Sequence, residues 1–384
     1  MRVLLVGGGG REHAIAWKLA QSPLLDELII APGNPGTAKL GKNIPVKATD
    51  IPELLALAKR ERVDLVFVGP EAPIALGITN RFEQAGVKVF APRAECARLE
   101  ASKVWAKSFM RRHRVPTARF EVFDEFEEAK EYVYSGINYP IVIKADGLAG
   151  GKGAIVVKNK SEALQALEAM MIKGKFGEAG RVVVIEEFLR GPELSVFVAA
   201  DGLRWKLLGC ATDYKRLLDG DQGPNTGGMG SISPVPFLTP ERYKLIVEKI
   251  IEPTFDGLFS EGLRYKGILY FGLMWTKDGP YVLEYNVRLG DPEAQVVLPL
   301  LKGDLLEIAK AGVEGKLDEL EFGLADGAAC CVVMASEGYP ESPKTGREIK
   351  GIEEAEAAGA IVFQAGTKEE GGKPVSYTHL TLPT

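Results

Sequence analysis

Apolar positions in the first hundred residues come in short runs, Val3–Val6, Leu28–Ala31, Leu65–Val68 and Val87–Phe90. Stretches with apolar residues at helical spacing separate them, over His13–Gln21, Ile51–Arg60 and Ala75–Ala85. Alternation of this kind predicts a parallel sheet with helices on its faces. Three loops follow strand ends: GGGGREHA after Val6, APGNPG after Ile30 and GPEAP after Val68. Open α/β sheets bind ligands beyond the carboxyl ends of their strands, so these loops are the candidate site of the first unit.

From about residue 91 the pattern changes. Leu99–Arg112 reads as a helix with Lys103 and Lys107 on one face, ordinarily a solvated one, and Pro116 ends it. Glu121–Tyr134 reads as a second, acidic helix. Ile141–Ala145 and Ala154–Val157 then flank a loop containing Gly147, Gly150, Gly151 and Gly153, with Lys144 and Lys152 at its edges, which predicts a hairpin with a flexible tip. An amphipathic helix over Ser161–Met171 and a strand over Val182–Ile185 running into Glu186–Leu189 follow. Leu194–Ala200 and Trp205–Cys210 read as strands turning at Asp201-Gly202, and residues 115–200 as a block with its own sheet, able to move as a lid. Ala211–Pro234 shows little regular structure, a length of loop that is functional or disordered. Thr239–Glu261 is helical, and Gly267–Trp275 and Tyr281–Val287 form a hairpin around Lys277-Asp278-Gly279.

Two of these stretches carry candidate chemistry. Glycines let backbone N–H groups turn toward an anion and two lysines add charge, so the 141–157 hairpin suits a polyphosphate. It is not a P-loop: Asp146 stands where that motif needs glycine, Gly153 follows Lys152, and no helix follows directly. A mobile hairpin with solvated lysines explains the loop alone equally well. In YVLEYNVRLGDPE, period-two alternation puts Tyr281, Leu283 and Tyr285 on one face and Val282, Glu284, Asn286 and Arg288 on the other. Glu284 and Asn286 offer oxygens to Mg²⁺, and the Arg288 guanidinium suits a second anion. The polar outer face of an antiparallel sheet is the competing explanation. The first loop fails as a dinucleotide fingerprint, because its third glycine falls on Glu12 or His13 and the second strand ends in Ala31-Pro32-Gly33 without an acid. A single phosphate or carboxylate at the helix N-terminus fits it, as does a turn needed only for packing.

Composition narrows the class. A chain of 384 residues holds two to three domains. With 47 basic against 52 acidic residues the net charge is −5, which does not point to nucleic acid or a membrane surface. No apolar run has the length of a membrane span, and the N-terminus enters a strand without a secretion leader. Cys96, Cys210, Cys330 and Cys331 show no C-x-x-C spacing, the last two pointing to opposite faces of a strand, as in a reduced cytoplasmic protein. His13, His113 and His379 are too scattered for a metal cluster, and no Gly-x-Ser-x-Gly elbow occurs. Any chemistry here is expected to run on bound phosphate, a hard metal ion and carboxylates.

In chain order, GGGGREHA, GPEAP, LEASK, IVIKADGLAGGKG, VVVIEEFLRGPE, TDYKR, GPNTGGMG, LEYNVRLGDPE, GYPESPKTG and FQAGTK resemble the glycinamide ribonucleotide synthetase family of the ATP-grasp ligases, over nearly the whole sequence. The resemblance implies an α/β chain with three parts: an N-terminal Rossmann-like (pre-ATP-grasp) parallel sheet at 1–100, an ATP-grasp core with a mobile lid subdomain at 101–324, and a partial C-terminal α+β domain at 325–375. It implies ligation of glycine to 5-phosphoribosylamine with ATP and Mg²⁺ or Mn²⁺, through glycyl phosphate, by a cytoplasmic monomer of purine biosynthesis. Carried onto matching positions, Lys103 and Lys144 contact the ATP phosphates, Gly150, Gly151, Lys152 and Gly153 close over them, Glu186, Glu187 and Leu189 line the adenine slot, and Glu193 holds the ribose. Glu284 and Asn286 bind the metal. The catalytic pair Asp213 and Arg288, with Thr226, Gly227 and Gly228, faces glycine, and Gly9, Gly33, Asn34 and Glu71 hold phosphoribosylamine.

Two features depart from the family pattern. The strand before the Glu-x-Asn strand has Gly272 where many relatives place a second acidic metal ligand. Cys330–Met334 and Ala360–Phe363 begin a small closing domain, but Ser376–Thr384 matches nothing in the family and reads as adaptor or frame-shifted sequence. The alternatives are another ATP-grasp ligase joining a different carboxylate to an amine, a non-catalytic nucleotide-binding protein, and a nicotinamide-dependent oxidoreductase using the first loop.

Overall fold

The computed structural model describes residues 1–148 and 153–376. The first unit is a five-stranded parallel sheet in the order Lys42–Asn43, Glu27–Pro32, Arg2–Gly7, Leu65–Val68, Lys88–Phe90. Its central strand is covered on both faces, with Leu4 and Val6 in one core and Val3 and Leu5 in the other. In-register pairing of Val6 with both Ala31 and Val68 brings the three glycine- and proline-rich loops to one edge.

An antiparallel six-stranded sheet forms the middle of the molecule. Its order is Gly279–Asn286, Lys266–Thr276, Glu193–Asp201, Trp205–Asp213, Gly230–Ser233, Ala329–Val332. Val196, Phe271 and Tyr285 pack in one cluster with Leu4, Leu99 and Phe109. On the opposite side Phe197, Leu208 and Tyr270 pack with Val297, Leu305 and Leu5. Both cores are therefore shared between the first unit and this sheet, without an apolar seam between them. A third, separate core of Ala129, Ile143, Leu167, Met170 and Val183 lies under a four-stranded sheet in the order Phe120–Phe123, Val183–Glu187, Ile141–Ala145, Ala154–Val157. Among the described residues no helix is long and apolar enough to cross a membrane.

Several expectations need correction. The helix expected over Leu99–Arg112 is two, Ala94–Ala101 and Lys103–Arg112, because Ser102 is extended and its hydroxyl accepts from Trp105 N, starting the second. Glu121 lies in a strand, and the acidic helix is only Phe126–Tyr134. The lid block does not reach residue 200. Its sheet ends at Glu187, and the nearly continuous apolar run Glu193–Asp201 is buried inside the central sheet instead. Ala211–Pro234 is more regular than expected: Arg216–Leu218 pairs with Gln222–Asn225, and Gly230–Ser233 joins the central sheet. Ala329–Val332 is an edge strand of that sheet, with Cys330 exposed and Cys331 half-buried, whereas Ala360–Phe363 forms no strand. Ser376 ends a hairpin of Thr367–Glu370 with Lys373–Ser376 and so does not belong with the tail; the remainder of that tail lies outside the described residues.

The segment before this hairpin folds back onto the first helix, Gly10–Leu19. Phe363 meets the rings of His13 and Trp17 edge-on, and Gln364 N donates to His13 Nδ1 at 2.8 Å. Burial, and then Lys39, push the imidazole down from 6.5 to about 4. Between those values the unfolded chain binds the extra proton, so this contribution to stability is complete above pH 6.5 and is lost as pH falls through 4. His13→Asn is expected to flatten the acid limb of a urea-midpoint profile in that window; parallel limbs would refute the assignment. Leu167→Ala, in the separate lid core, should destabilise that block by about 2–5 kcal/mol. Amide exchange should then quicken in Ile141–Ala145 and Val183–Glu187 and hold steady in Arg2–Gly7; a uniform loss of protection would show that the block is not an independent unit.

Candidate active site

A cleft of about 320 Å³ is walled by the helix Lys103–Arg112, the lid sheet and the strands of the central sheet. Lys103, Lys144 and Glu284, distant in sequence, all line it, together with Gly153, Glu186, Glu187, Leu189, Glu193, Asp213, Thr226, Gly227, Asn286 and Arg288. Gly150, Gly151 and Lys152 lie outside the described residues.

The cationic wall is anchored where the glycine hairpin meets the helix. Ser102 Oγ donates to Asp146 Oδ1 at 3.1 Å, Val104 N donates to the same oxygen at 3.1 Å, and Lys103 Nζ donates to the Gly147 carbonyl at 3.0 Å. The aspartate that excludes a P-loop thus helps to cap a helix. Lys144 Nζ donates to Leu283 O at 3.1 Å and lies 3.1 Å from Glu186 Oε2. Lys107, expected on a solvated face, is buried 3.0 Å from that same oxygen and 2.6 Å from Thr117 Oγ1. Its spacing from Lys103 was the available signal, since one helical face carries both into the cleft. Burial pulls the Lys107 ammonium down to about 8, against the attraction of Glu186. Glu186 Oε1 is buried without a hydrogen-bond partner among the described residues. Glu187 has a different task, with Arg119 N on one oxygen and Arg119 Nε on the other.

The acidic wall differs from simple alternation. Gly272 pairs with Glu284 but Leu273 pairs with Val282, so Leu283 is an extra residue, a β-bulge. The bulge lets Val282 and Tyr285 enter the same core, separating Val282 from the face shared by Glu284 and Asn286. Glu284 opens to the cleft, and among the described residues no ion pair holds it. Burial raises its carboxyl, but Lys215, Lys144, Lys103 and Arg288 together hold it below the usual carboxylate range. Asn286 Oδ1 accepts from Arg288 Nη2 at 3.1 Å, while its Nδ2 is buried without a partner among the described residues. Arg288 also donates from Nε to Glu71 Oε2 at 3.2 Å and from Nη1 to Leu289 O at 3.1 Å, and pairs with Glu100 Oε1 at 3.0 Å. Burial, and then Glu71 among its neighbours, push the Glu100 carboxyl up to about 7 against the pull of Arg288.

Lys215 joins two predicted residues, 3.0 Å from Glu193 Oε2 and 3.6 Å from Asp213 Oδ2. Its own backbone carbonyl receives Thr226 N and Thr226 Oγ1, and Tyr339 Oη receives Gly227 N. Gly228 does not line the cleft. A Cβ there would meet Pro292 Cδ at 2.5 Å, so it permits the loop's close approach to the Pro292 turn. Lys215, Glu100 and Glu293 were missed, although each lies inside a motif that carried the resemblance.

The N-terminal residues sit beside the cleft, not in its lining. Gly9 N donates to Glu12 Oε2, and Asn34 Nδ2 donates to the carbonyls of Gly8 and Gln364. Gly33 has φ +71, and a Cβ there would lie 2.3 Å from Asn43 Oδ1. Only Glu71 reaches the cleft's chemistry, through Arg288. Arg11 completes the junction, donating to Leu289 O from its side chain and to Asp291 Oδ2 from its backbone.

The arrangement matches known proteins throughout its length. Models of the phosphoribosylglycinamide synthetase N, ATP-grasp (A) and C domains match residues 1–100, 101–294 and 329–378. A phosphoribosylamine–glycine ligase of Chlorobaculum tepidum is 49% identical over 376 residues, 97% of this chain and 88% of that one. The crystal structure of a phosphoribosylamine–glycine ligase from Thermotoga maritima superposes with a TM-score of 0.85 at 38% identity, covering 99% of this chain and 90% of that one. A biotin carboxylase from Campylobacter jejuni shares the fold at 20% identity, with a TM-score of 0.69 over 91% of this chain and 79% of that one. The chain belongs to the phosphoribosylglycinamide synthetase family, ATP-dependent ligases that join glycine to phosphoribosylamine in purine biosynthesis.

Proposed function

We propose that this cleft first converts glycine and ATP into glycyl phosphate and then delivers the acyl group to the amine of 5-phosphoribosylamine. The observation that carries this reading is the convergence of Lys103, Lys144 and Glu284 on one cleft. Phosphoryl transfer asks mainly for positioning and charge neutralisation, which two lysines and a divalent ion supply without an enzyme nucleophile. Lys103 and Lys144 hold the phosphates. Glu186, Glu187 and Leu189 line the adenine slot, and Glu193 takes the ribose. The lid hairpin, Gly153 among its described residues, covers the phosphates and keeps water from the acyl phosphate.

The residues present fit a divalent cation. Among the described residues no cluster of three His, Cys, Asp or Glu side chains can hold a metal unaided. Glu284, open to the cleft and held in its ionised form, stands two residues from Asn286 on one wall. That is the sparse protein share expected when nucleotide oxygens and water complete the shell. Mg²⁺ or Mn²⁺ bound there would screen the charge of the triphosphate. The pairing of Gly272 with Glu284 supports a site without a second acidic ligand on the neighbouring strand.

Asp213 receives the glycine ammonium, and Arg288 is aimed by Glu71, Glu100 and Asn286 for the carboxylate, with Thr226 and Gly227 closing that end and Gly228 letting their loop pack against Pro292. Gly9, Gly33 and Asn34 shape the loop edge for phosphoribosylamine, and Glu71 links that edge to Arg288. A cytoplasmic monomer without nucleic-acid or membrane partners completes the proposal, in keeping with the net charge of −5 and free cysteines. Glu284→Ala is expected to lower kcat for ADP release by about a hundredfold or more with an unchanged thermal transition. Unaltered kinetics would remove the metal assignment. Without a trapping reagent such as hydroxylamine, phosphate release should require glycine and phosphoribosylamine together, and full turnover with another metabolite amine or carboxylate would select a different ligase.

A further inference from the structure

We propose that Glu293 is the proton acceptor for the attacking sugar amine. The proposal deepens the acyl phosphate reading of the same cleft and rests on it. Glu293 stands at the start of the helix Ala294–Leu300, buried yet lining the cleft with Asp213, Glu284 and Arg288. Two residues earlier, Asp291 accepts from Arg11 N on the first helix, so Glu293 lies where the N-terminal unit meets the cleft. That is the side from which the sugar substrate is proposed to enter.

Elimination among the cleft carboxylates leads to the same residue. Glu100, Glu186, Glu187, Glu193 and Asp213 are each ion-paired. Glu284 is the proposed metal ligand, and Asp291 is taken by Arg11 N and Gln295 Nε2. Glu293 has hydroxyl partners instead. Ser195 Oγ lies 3.1 Å from Glu293 Oε1 and 2.9 Å from Tyr270 Oη. A serine has one proton to donate, so when it donates to Glu293, Tyr270 donates to it, and the chain can reverse when Glu293 is protonated. A Cβ on Gly290 would sit 2.3 Å from Glu293 Oε2, so glycine there leaves room for that oxygen.

The charged and titratable groups around Glu293 are Asp213, Lys215, Tyr270 and Arg288. Burial, and then Asp213, raise its carboxyl to about 7, where a carboxylate is a far better base than an ordinary one and still ionised in part. In the step itself the sugar nitrogen forms a C–N bond to the glycyl carbonyl carbon. The C–O bond to phosphate breaks, phosphate leaves with that electron pair, and the proton lost from nitrogen passes to Glu293 and then to solvent. Oxidation states do not change, and no further reactant is needed.

Hydroxylamine supplies the test, because it captures an acyl phosphate as the hydroxamate and is largely unprotonated near neutral pH. Glu293→Gln is expected to lose coupling to phosphoribosylamine by about a hundredfold or more, while ATP- and glycine-dependent hydroxamate formation is largely retained. In the unaltered protein, the sugar-amine rate should rise through pH about 7 and hydroxamate formation should not. Glu293→Asp, which keeps a carboxylate, should restore part of the coupling. Full coupling in Glu293→Gln overturns the proposal. So does an equal loss of both reactions with a raised KM for glycine, which would make Glu293 part of the ammonium cradle, and so does a flat pH profile in the unaltered protein. Absence of hydroxamate from the unaltered protein would overturn the acyl phosphate reading itself.

Discussion

One buried carboxylate oxygen ties the lid sheet to the rest of this molecule. Glu186 Oε2 lies within 3.1 Å of two ammonium groups, Lys107 from the helix and Lys144 from the lid hairpin. Buried charges are tolerated only when paired, and losing one member leaves the others uncompensated in a poorly polarisable surrounding. Lys107 also reaches Thr117, whose hydroxyl donates to the Val282 carbonyl, and Lys144 reaches the Leu283 carbonyl. The lid sheet, the helix and the proposed metal-bearing strand are therefore registered to one another through a few polar atoms. Apolar packing does not do this, because the lid has its own core.

The opposite side is organised differently. Arg288 sits between Glu71 of the first unit and Glu100 of the following helix, with Asn286 sharing the terminal nitrogen that meets Glu100 and the Leu289 carbonyl on the other. Here the polar network overlies cores that run continuously from the parallel sheet into the central sheet. One wall of the cleft is continuous with the main cores and the other is attached through charge. The closure proposed for the lid would therefore fall on the charge-tethered wall, where an acyl phosphate would need shelter from water.

Much of this was legible because period and punctuation are local properties. The alternating strands and helices of the first hundred residues, the Lys144 hairpin and the Glu284 strand follow from spacing alone. What escaped depends on partners remote in sequence. Nothing near Val282 announces that Leu283 bulges, since the bulge exists only against Leu273 and Gly272. Lys107 looks solvated until Glu186 is brought opposite, and Glu193–Asp201 looks like lid until its neighbours in the sheet are known. Asn34 and Gly33 show the reverse difficulty: the amide and backbone expected to meet substrate are committed to holding their loop in shape. Motif resemblance located the cleft, but Lys215, Glu100 and Glu293 emerge only from the distances.

The contact between Lys103 Nζ and the Gly147 carbonyl carries a consequence for ligand entry. An ammonium carries three protons, so Lys103 can keep the Gly147 carbonyl on one of them and present the others to the cleft. If the proposed anion docks there, the root of the hairpin stays tied while the remaining donors meet the guest. By reciprocity, an anion that prefers the tied geometry favours that geometry by the same factor by which the tie favours the anion. One side chain can thus serve as both hinge pin and host.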